Sequence, residues 1–151
     1  LYRVNSSGKF NVPFGRYKNP RISDDSGLLA ASEALSCAKL LCGDFSEIIN
    51  RAKKNDFAYF DPPYFPVSKT ASFTAYTSNS FVENDQLRLR STIDELLKQN
   101  VKILLSNSYT DFITDLFSDL KTITVSAKRM INCQAEKRGL VKEILVLGGY
   151  A

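Results

Sequence analysis

The tetrapeptide Asp61-Pro62-Pro63-Tyr64 offers the most specific chemistry in the sequence. It follows an apolar run, residues 57–60, that predicts a strand, and two consecutive prolines end a strand and stiffen the chain beyond it. The Asp61 carboxylate and the Pro62 carbonyl could accept hydrogen bonds from both hydrogens of an amino group on an aromatic base, turning its lone pair toward an electrophile. Tyr64 adds an aromatic face, and stacking on it is worth about 1–3 kcal/mol per base. The alternative is an ordinary strand-ending turn with a surface tyrosine.

Several other catalytic classes are excluded by composition. The sequence has no histidine, and Cys37, Cys42 and Cys133 form no C-x-x-C pair. We therefore expect no zinc or other metal site, no histidine general base, and reduced, partly buried thiols.

The bulk composition is that of one folded domain, with 151 residues of which 44% are hydrophobic and 24% charged. The longest apolar runs, residues 101–105 and 144–147, are far shorter than the roughly 18–20 residues of a membrane span. No charged-then-apolar leader opens the chain, so we expect a cytoplasmic protein that does not insert into a membrane.

Predicted helices and strands alternate along the chain. Helices are predicted over about residues 27–38, 45–53, 83–99 and 110–120, and strands over 39–42, 57–60, 101–105, 122–125 and 141–147. This alternation indicates an α/β fold with a mainly parallel sheet covered on both faces, in which ligands bind at the carboxyl ends of the strands. In the helix over 83–99 the residues predicted to face the core are Leu87, Leu89, Ile93, Leu96 and Leu97.

Three segments lie outside these elements. Residues 1–22 predict an irregular arm, residues 65–82 a long loop that could close over a substrate, and residues 126–139 a basic loop. The net charge is +4 and the isoelectric point about 9.0, with basic residues concentrated in the first and last of these segments. Each basic cluster could contact a polyanion or be a solvated face.

Several blocks resemble the Dam-type DNA adenine methyltransferases, relatives of the DpnII-system methylase. Residues 57–64 (FAYFDPPY), followed by 72–76 (SFTAY), look like the catalytic segment of that family. Residues 11–20 (NVPFGRYKNP) are similar to its target-recognition segment. Weaker similarities link residues 104–107 (LLSN) to the strand behind its active site and residues 137–143 (KRGLVKE) to its closing hairpin.

The resemblance implies a Rossmann-like fold that uses S-adenosylmethionine. Residues 1–26 would be part of the target-recognition segment, and residues 27–151 the later part of the catalytic domain. The family opens with an F-x-G-x-G strand and loop, whereas the seven glycines of this sequence include no G-x-G. We therefore expect a piece of a longer protein that lacks the N-terminal strands and is inactive alone.

The resemblance also assigns catalytic and cofactor-binding roles. Asp61 and Pro62, stiffened by Pro63, would orient the adenine amino group beside the methyl donor, and Tyr64 would stack on the extruded base. Asp44 and Phe45 would contact the cofactor's adenine ring, although a helix cap and a core phenylalanine are equally good interpretations of that pair. Asp61 would lie close to the cofactor as well.

Contacts with double-stranded DNA are implied in three segments. Arg3 would bind guanine in a GATC site, with Leu1 and Pro13 against a thymine methyl group, while phosphate contacts would set the register. The DNA-contacting residues implied by the resemblance are Leu1, Arg3, Asn11, Pro13, Arg16, Tyr17, Lys18, Ser72, Phe73, Tyr76, Arg129, Asn132 and Arg138.

Three functional hypotheses follow. The first is an adenine-specific DNA methyltransferase, serving host methylation, restriction–modification or a phage. The second is a truncated, non-catalytic DNA-binding remnant. The third is a methyltransferase that acts on RNA or on protein amides, although such enzymes tend to carry N-P-P-Y, so Asp61 argues against it. All three leave the oligomeric state open.

Overall fold

The computed structural model describes residues 5, 7–10, 18–19, 22–67, 81–128 and 140–150. The chain divides into two compact units, Leu1–Cys42 and Gly43–Ala151. In the first unit, helix α1 (Asp25–Leu35) begins after Asp24, whose carboxylate accepts a hydrogen bond from the Gly27 N–H at 3.2 Å. This confirms the helix predicted over about residues 27–38, with Asp24 as its N-cap.

The second unit contains a four-stranded sheet in the order β1-β2-β4-β3. Its elements are a 3-10 helix (Phe45–Asn50), β1 (Phe57–Phe60), α2 (Glu83–Lys98), β2 (Lys102–Ser108), α3 (Asp111–Leu116), β3 (Lys121–Lys128) and β4 (Leu140–Gly148). This order confirms the α/β class.

The sheet is mixed, so the prediction of a mainly parallel sheet is not confirmed. Among the described strands β1 and β2 are parallel, whereas β4 is antiparallel to both β2 and β3. Helix α2 supplies the crossover that a parallel pair needs between β1 and β2. Between β3 and β4, in contrast, the described residues include no crossover helix, and the two strands run in opposite directions.

The strand predicted over residues 39–42 is wrong. These residues form no strand, and Leu40 and Leu41 are 74% and 58% exposed. An extended segment becomes a strand only when a neighbour pairs with it, and no described strand does so here. Cys37 and Cys42 were predicted to be partly buried, but both are exposed, as is every residue from 25 to 42.

Two predicted helices are shorter than expected. The helix predicted over residues 45–53 is a 3-10 helix of six residues. Its N-cap is Asp44, whose side chain accepts a hydrogen bond from the Ser46 N–H. The helix over residues 110–120 begins after Thr110 as predicted but ends at Leu116.

The core lies between the sheet and helices α2 and α3. Its fully buried apolar side chains are Leu89, Ile93 and Leu96 of α2, Val101, Ile103 and Leu105 at β2, Ile113 and Phe117 at α3, and Ile144 and Val146 of β4. Leu87 was predicted to face this core but is 43% exposed. It lies two residues, or about 200°, around the helix from Leu89, which places it on the opposite side.

A half-buried cation links α2 to the end of α3. The Arg90 guanidinium pairs with Asp119 at 2.6 Å and with Asp94 at 2.8 Å, and it donates to the Leu116 carbonyl at 3.2 Å. These bonds raise the pKa of Arg90, and the bond to Asp119 contributes most.

None of the described helices is both long and apolar enough to cross a membrane.

Two leucines of α2 provide a matched test of this packing. Leu96 is fully buried, so Leu96→Ala should lower the free energy of unfolding by about 2–5 kcal/mol. Leu87→Ala, on the exposed side, should change it by no more than about 0.5 kcal/mol. Urea unfolding followed by far-ultraviolet circular dichroism measures both, and equal losses would contradict the packing described for α2.

Candidate active site

Residues 61–65, called here the site turn, begin where β1 ends at Phe60. Phe60 lies opposite Leu105 of the parallel neighbour β2, which continues for three residues beyond that point. The site turn therefore lies beside the carboxyl end of β2, at the edge of the sheet where α/β proteins bind ligands. The predicted strand and its end at the tetrapeptide are confirmed.

The extension of β2 consists of buried polar residues that lie beyond the strand predicted over residues 101–105, although the family resemblance had linked residues 104–107 to a strand behind the active site. Ser106, Asn107 and Ser108 are 3%, 0% and 5% exposed. A buried polar group is costly unless it is hydrogen-bonded, and all three bond to the site turn. Three consecutive polar residues directly after an apolar strand are the signal that could have revealed them.

Asp61 is held by a chain of hydroxyl groups. The Ser106 hydroxyl donates to Asp61 Oδ1 at 3.0 Å, with the Phe60 carbonyl farther away at 3.4 Å. The Tyr59 hydroxyl lies 3.0 Å from Ser106 Oγ. Because Ser106 has one hydroxyl hydrogen, directed at Asp61, Tyr59 is the donor in that second bond. Asp61 itself is exposed, so its carboxylate can face both Ser106 and a ligand.

Tyr64 is half-buried at the same place. Its hydroxyl donates to Glu143 Oε2 of β4 at 3.5 Å, a long hydrogen bond. Burial raises the pKa of the Tyr64 hydroxyl, and the charges of Glu143 and Asp61 raise it further. Tyr64 is therefore neutral at physiological pH.

Asp44 and Phe45 form a second group, at the start of the 3-10 helix. The Asp44 carboxylate accepts from the Ser46 hydroxyl at 2.6 Å and from Arg88 of α2 at 2.9 Å. These bonds, that of Ser46 first, lower the pKa of Asp44 to about 2. The Arg88 guanidinium also lies 5.0 Å from the centre of the Phe45 ring, and that ring packs against the core.

Both structural interpretations of this pair are thus observed, since Asp44 caps a helix and Phe45 packs on the core. Their role toward the cofactor stays a prediction. Helix α2 connects the two groups, because Arg88 contacts Asp44 while Gln86, two residues earlier, contacts the Pro63 carbonyl of the site turn.

Most of the predicted DNA contacts lie outside the described residues. Lys18 is described and is exposed. The other predicted contacts lie outside the described residues: Leu1, Arg3, Asn11, Pro13, Arg16, Tyr17, Ser72, Phe73, Tyr76, Arg129, Asn132 and Arg138. Cys133 and residues 68–80 of the predicted lid also lie outside them. Their roles stay predictions.

Comparison with known proteins identifies similar sequences. A family model for D12 class N6 adenine-specific DNA methyltransferase matches residues 1–131. The type II methyltransferase M.MjaIII of Methanocaldococcus jannaschii is 49% identical over 139 residues, which cover 91% of this chain and 48% of the relative. The type II methyltransferase M1.LlaDCHI of Lactococcus lactis is 42% identical, covering 97% of this chain and 52% of the relative.

The DNA adenine methylase of Escherichia coli K12 is 35% identical over 147 residues, covering 97% of this chain and 52% of the relative. The chain thus spans about half the length of the curated relatives it matches.

The titration of Asp44 tests the geometry at the 3-10 helix. Ser46→Ala removes the largest cause of the lowered value, so the pKa of Asp44 should rise from about 2 toward its ordinary 3.8, and Arg88→Gln should act in the same direction. Because the folded-state pKa is the lower one, the stabilisation from Asp44 is present above pH 3.8 and is lost as the pH falls toward 2.

Carbon-13 NMR titration of the Asp44 carboxyl group measures this shift. Ser36→Ala is the matched control, since the Ser36 hydroxyl donates to the Glu33 carbonyl and not to a carboxylate. An Asp44 pKa that is unchanged in both Ser46→Ala and Arg88→Gln would contradict the observed bonds.

Proposed function

The chain belongs to the D12 class of N6 adenine-specific DNA methyltransferases, and we propose that it forms the part of such an enzyme that holds the target adenine while its exocyclic amino group is methylated. The observation that carries this proposal is the site turn, where the exposed Asp61 carboxylate is oriented by Ser106 and the half-buried Tyr64 follows three residues later. S-adenosylmethionine, when bound, supplies an electrophilic methyl group.

The site turn suits an amino group that is deactivated by conjugation with a purine ring. Asp61 would accept one amino hydrogen and the Pro62 carbonyl the other, which directs the nitrogen lone pair out of the ring plane. Ser106 fixes Asp61 Oδ1 before the base arrives, so the carboxylate need not reorient during the reaction. Tyr64 would stack on the base after it leaves the duplex.

Asp44 and Phe45 are proposed to hold the methyl donor. The donor carries hydroxyl and amino groups and a purine ring, which call for a hydrogen-bond acceptor beside an aromatic surface. Asp44 is an exposed carboxylate that stays ionised to about pH 2, and the Phe45 ring is only partly buried. The two side chains therefore fit this part of the donor, with Asp61 proposed to lie close to it.

The proposal extends to the whole protein. Residues 27–151 would form the later part of a Rossmann-like catalytic domain, and residues 1–26 part of a segment that recognises GATC in double-stranded DNA. Support for the first comes from the matches, which cover 91–97% of this chain but 48–52% of the relatives. Support for the second comes from the similarity of residues 11–20 to a target-recognition segment.

The proposed cellular setting is the cytoplasm of a bacterium or archaeon, or of a phage-infected cell, in association with DNA. The relatives come from an archaeon, from bacteria and from a phage. Two of them are named type II methyltransferases, which favours a role in restriction–modification.

Loss of methyl transfer in Asp61→Ala tests the proposed reaction. In the protein encoded by the complete reading frame around this chain, Asp61→Ala should reduce transfer of a tritiated methyl group to a GATC duplex by at least about a hundredfold. Asp56→Ala is the control, because Asp56 precedes β1 at the opposite end of that strand and its carboxylate accepts from the Lys53 N–H. Methyl transfer that persists in Asp61→Ala would refute the role of the carboxylate. If the wild-type protein binds DNA but transfers no methyl group, the non-catalytic remnant would be favoured.

Sequence recognition is tested separately with Arg3→Ala and Lys18→Ala. A base contact should discriminate by about 1–3 kcal/mol, so Arg3→Ala should reduce the preference for GATC over a scrambled duplex by about 5- to 150-fold. Lys18→Ala, at a proposed phosphate contact, should weaken binding to both duplexes alike. Equal labelling of both duplexes by the wild-type protein would rule out Arg3 as a reader of the sequence.

A further inference from the structure

Two fully buried amide side chains meet behind the site turn. Gln86 of α2 and Asn107 of β2 are each 0% exposed, and Asn107 Nδ2 donates to Gln86 Oε1 at 3.1 Å. We call them the amide pair. Burying two amides is costly unless their remaining donors and acceptors are also satisfied, so the partners of those groups are informative.

Two further hydrogen bonds of the amide pair reach the backbone on both sides of Tyr64. Gln86 Nε2 donates to the Pro63 carbonyl at 3.2 Å, and the Phe65 N–H donates to Asn107 Oδ1 at 3.0 Å. The Pro63 carbonyl belongs to the peptide unit before Tyr64, and the Phe65 N–H to the unit after it. Because a residue has only two soft backbone dihedrals, fixing both flanking peptide planes fixes the direction of the Tyr64 Cα–Cβ bond.

The orientation of both amides is dictated by their partners. Asn107 Oδ1 also accepts from the Ser108 N–H at 2.8 Å, so the oxygen must face these two N–H donors and the NH₂ group must face Gln86. Gln86 must then present its oxygen to Asn107 and its NH₂ group to the Pro63 carbonyl. A flip of either amide would set donor against donor or acceptor against acceptor.

The outer end of Tyr64 is held much less firmly. Its hydroxyl contacts Glu143 at 3.5 Å, the limit of a hydrogen bond, and the side chain is only half-buried. The Tyr64 side chain is therefore anchored mainly from the backbone side.

We propose that the Gln86–Asn107 amide pair is the positioning device for Tyr64, setting the direction of the ring against which the extruded adenine stacks. This inference rests on the proposed function. The pair acts through Tyr64, so Gln86 and Asn107 are positioning residues and not catalytic ones. A ring misplaced by about 1 Å can cost a hundredfold in rate, which gives buried groups without substrate contacts a measurable effect.

The test is a double-mutant cycle of Gln86 and Tyr64 in the protein encoded by the complete reading frame. Gln86→Met keeps the length and removes the hydrogen bond to Pro63, and it should lower kcat for methylation of a GATC duplex by about 10- to 100-fold. In a Tyr64→Ala background the same change should lower kcat by less than about 3-fold, because the ring it positions is gone. Equal fold-losses in both backgrounds would overturn the proposal.

Gln99→Leu is the matched control for a purely structural effect. Gln99 follows α2 and its Nε2 donates to the Ile49 carbonyl at 3.2 Å, a bond of the same type that does not reach the site turn. It should lower the melting temperature as Gln86→Met does and leave kcat unchanged. A loss of kcat equal to that of Gln86→Met would overturn the proposal.

Gln86→Glu provides a second route should Gln86→Met not fold. A buried, protonated glutamic acid can accept from Asn107 and still donate to the Pro63 carbonyl, whereas the carboxylate cannot donate. The kcat of this variant relative to wild type should therefore rise as the pH falls, and a constant ratio would overturn the proposal. Retained methyl transfer in Asp61→Ala would instead refute the proposed function, so the two failures are distinguishable.

Discussion

The site turn cannot be held by a strand ladder, because Pro62 and Pro63 have no N–H group to donate. Side chains of the neighbouring strand β2 hold the turn in place of ladder hydrogen bonds. Ser106 bonds to the Asp61 carboxylate, and Asn107 and Ser108 bond to the backbone at Phe65. The polar extension of β2 is therefore explained by the two prolines of its neighbour, since on that side its side chains supply hydrogen bonds that a strand ladder cannot.

The mixed sheet brings a further element to this edge. Since β4 runs antiparallel to β2, its early residues lie beside the late residues of β2, with Glu143 opposite Ser108. Glu143 thereby reaches the Tyr64 hydroxyl. A parallel strand at this position would have presented its carboxyl end to the edge instead, so the antiparallel direction determines which residues form the wall of the site.

The sequence was sufficient for the features that depend on local pattern. The apolar run of β1, its end at the prolines and the amphipathic α2 were all predicted, and so was the family, from the tetrapeptide and its neighbours. Features that depend on distant partners were missed. The apolar run predicted a strand that stops at Leu105, yet β2 continues to Ser108, and the buried Asn107 bonds to residues 21 and 42 positions away. The predicted strand over residues 39–42 failed for the same reason, since strand formation requires a partner that local pattern does not specify.

The position of β4 in the sheet has a consequence for folding. It is the last of the described strands in sequence, yet it lies inside the sheet, between β2 and β3. On the ribosome, β2 and β3 must therefore wait with unpaired edges until β4 emerges, and non-local pairing of this kind is slow and exposes edges to aggregation. We expect this edge of the sheet, together with the site turn, to form in one late step of folding.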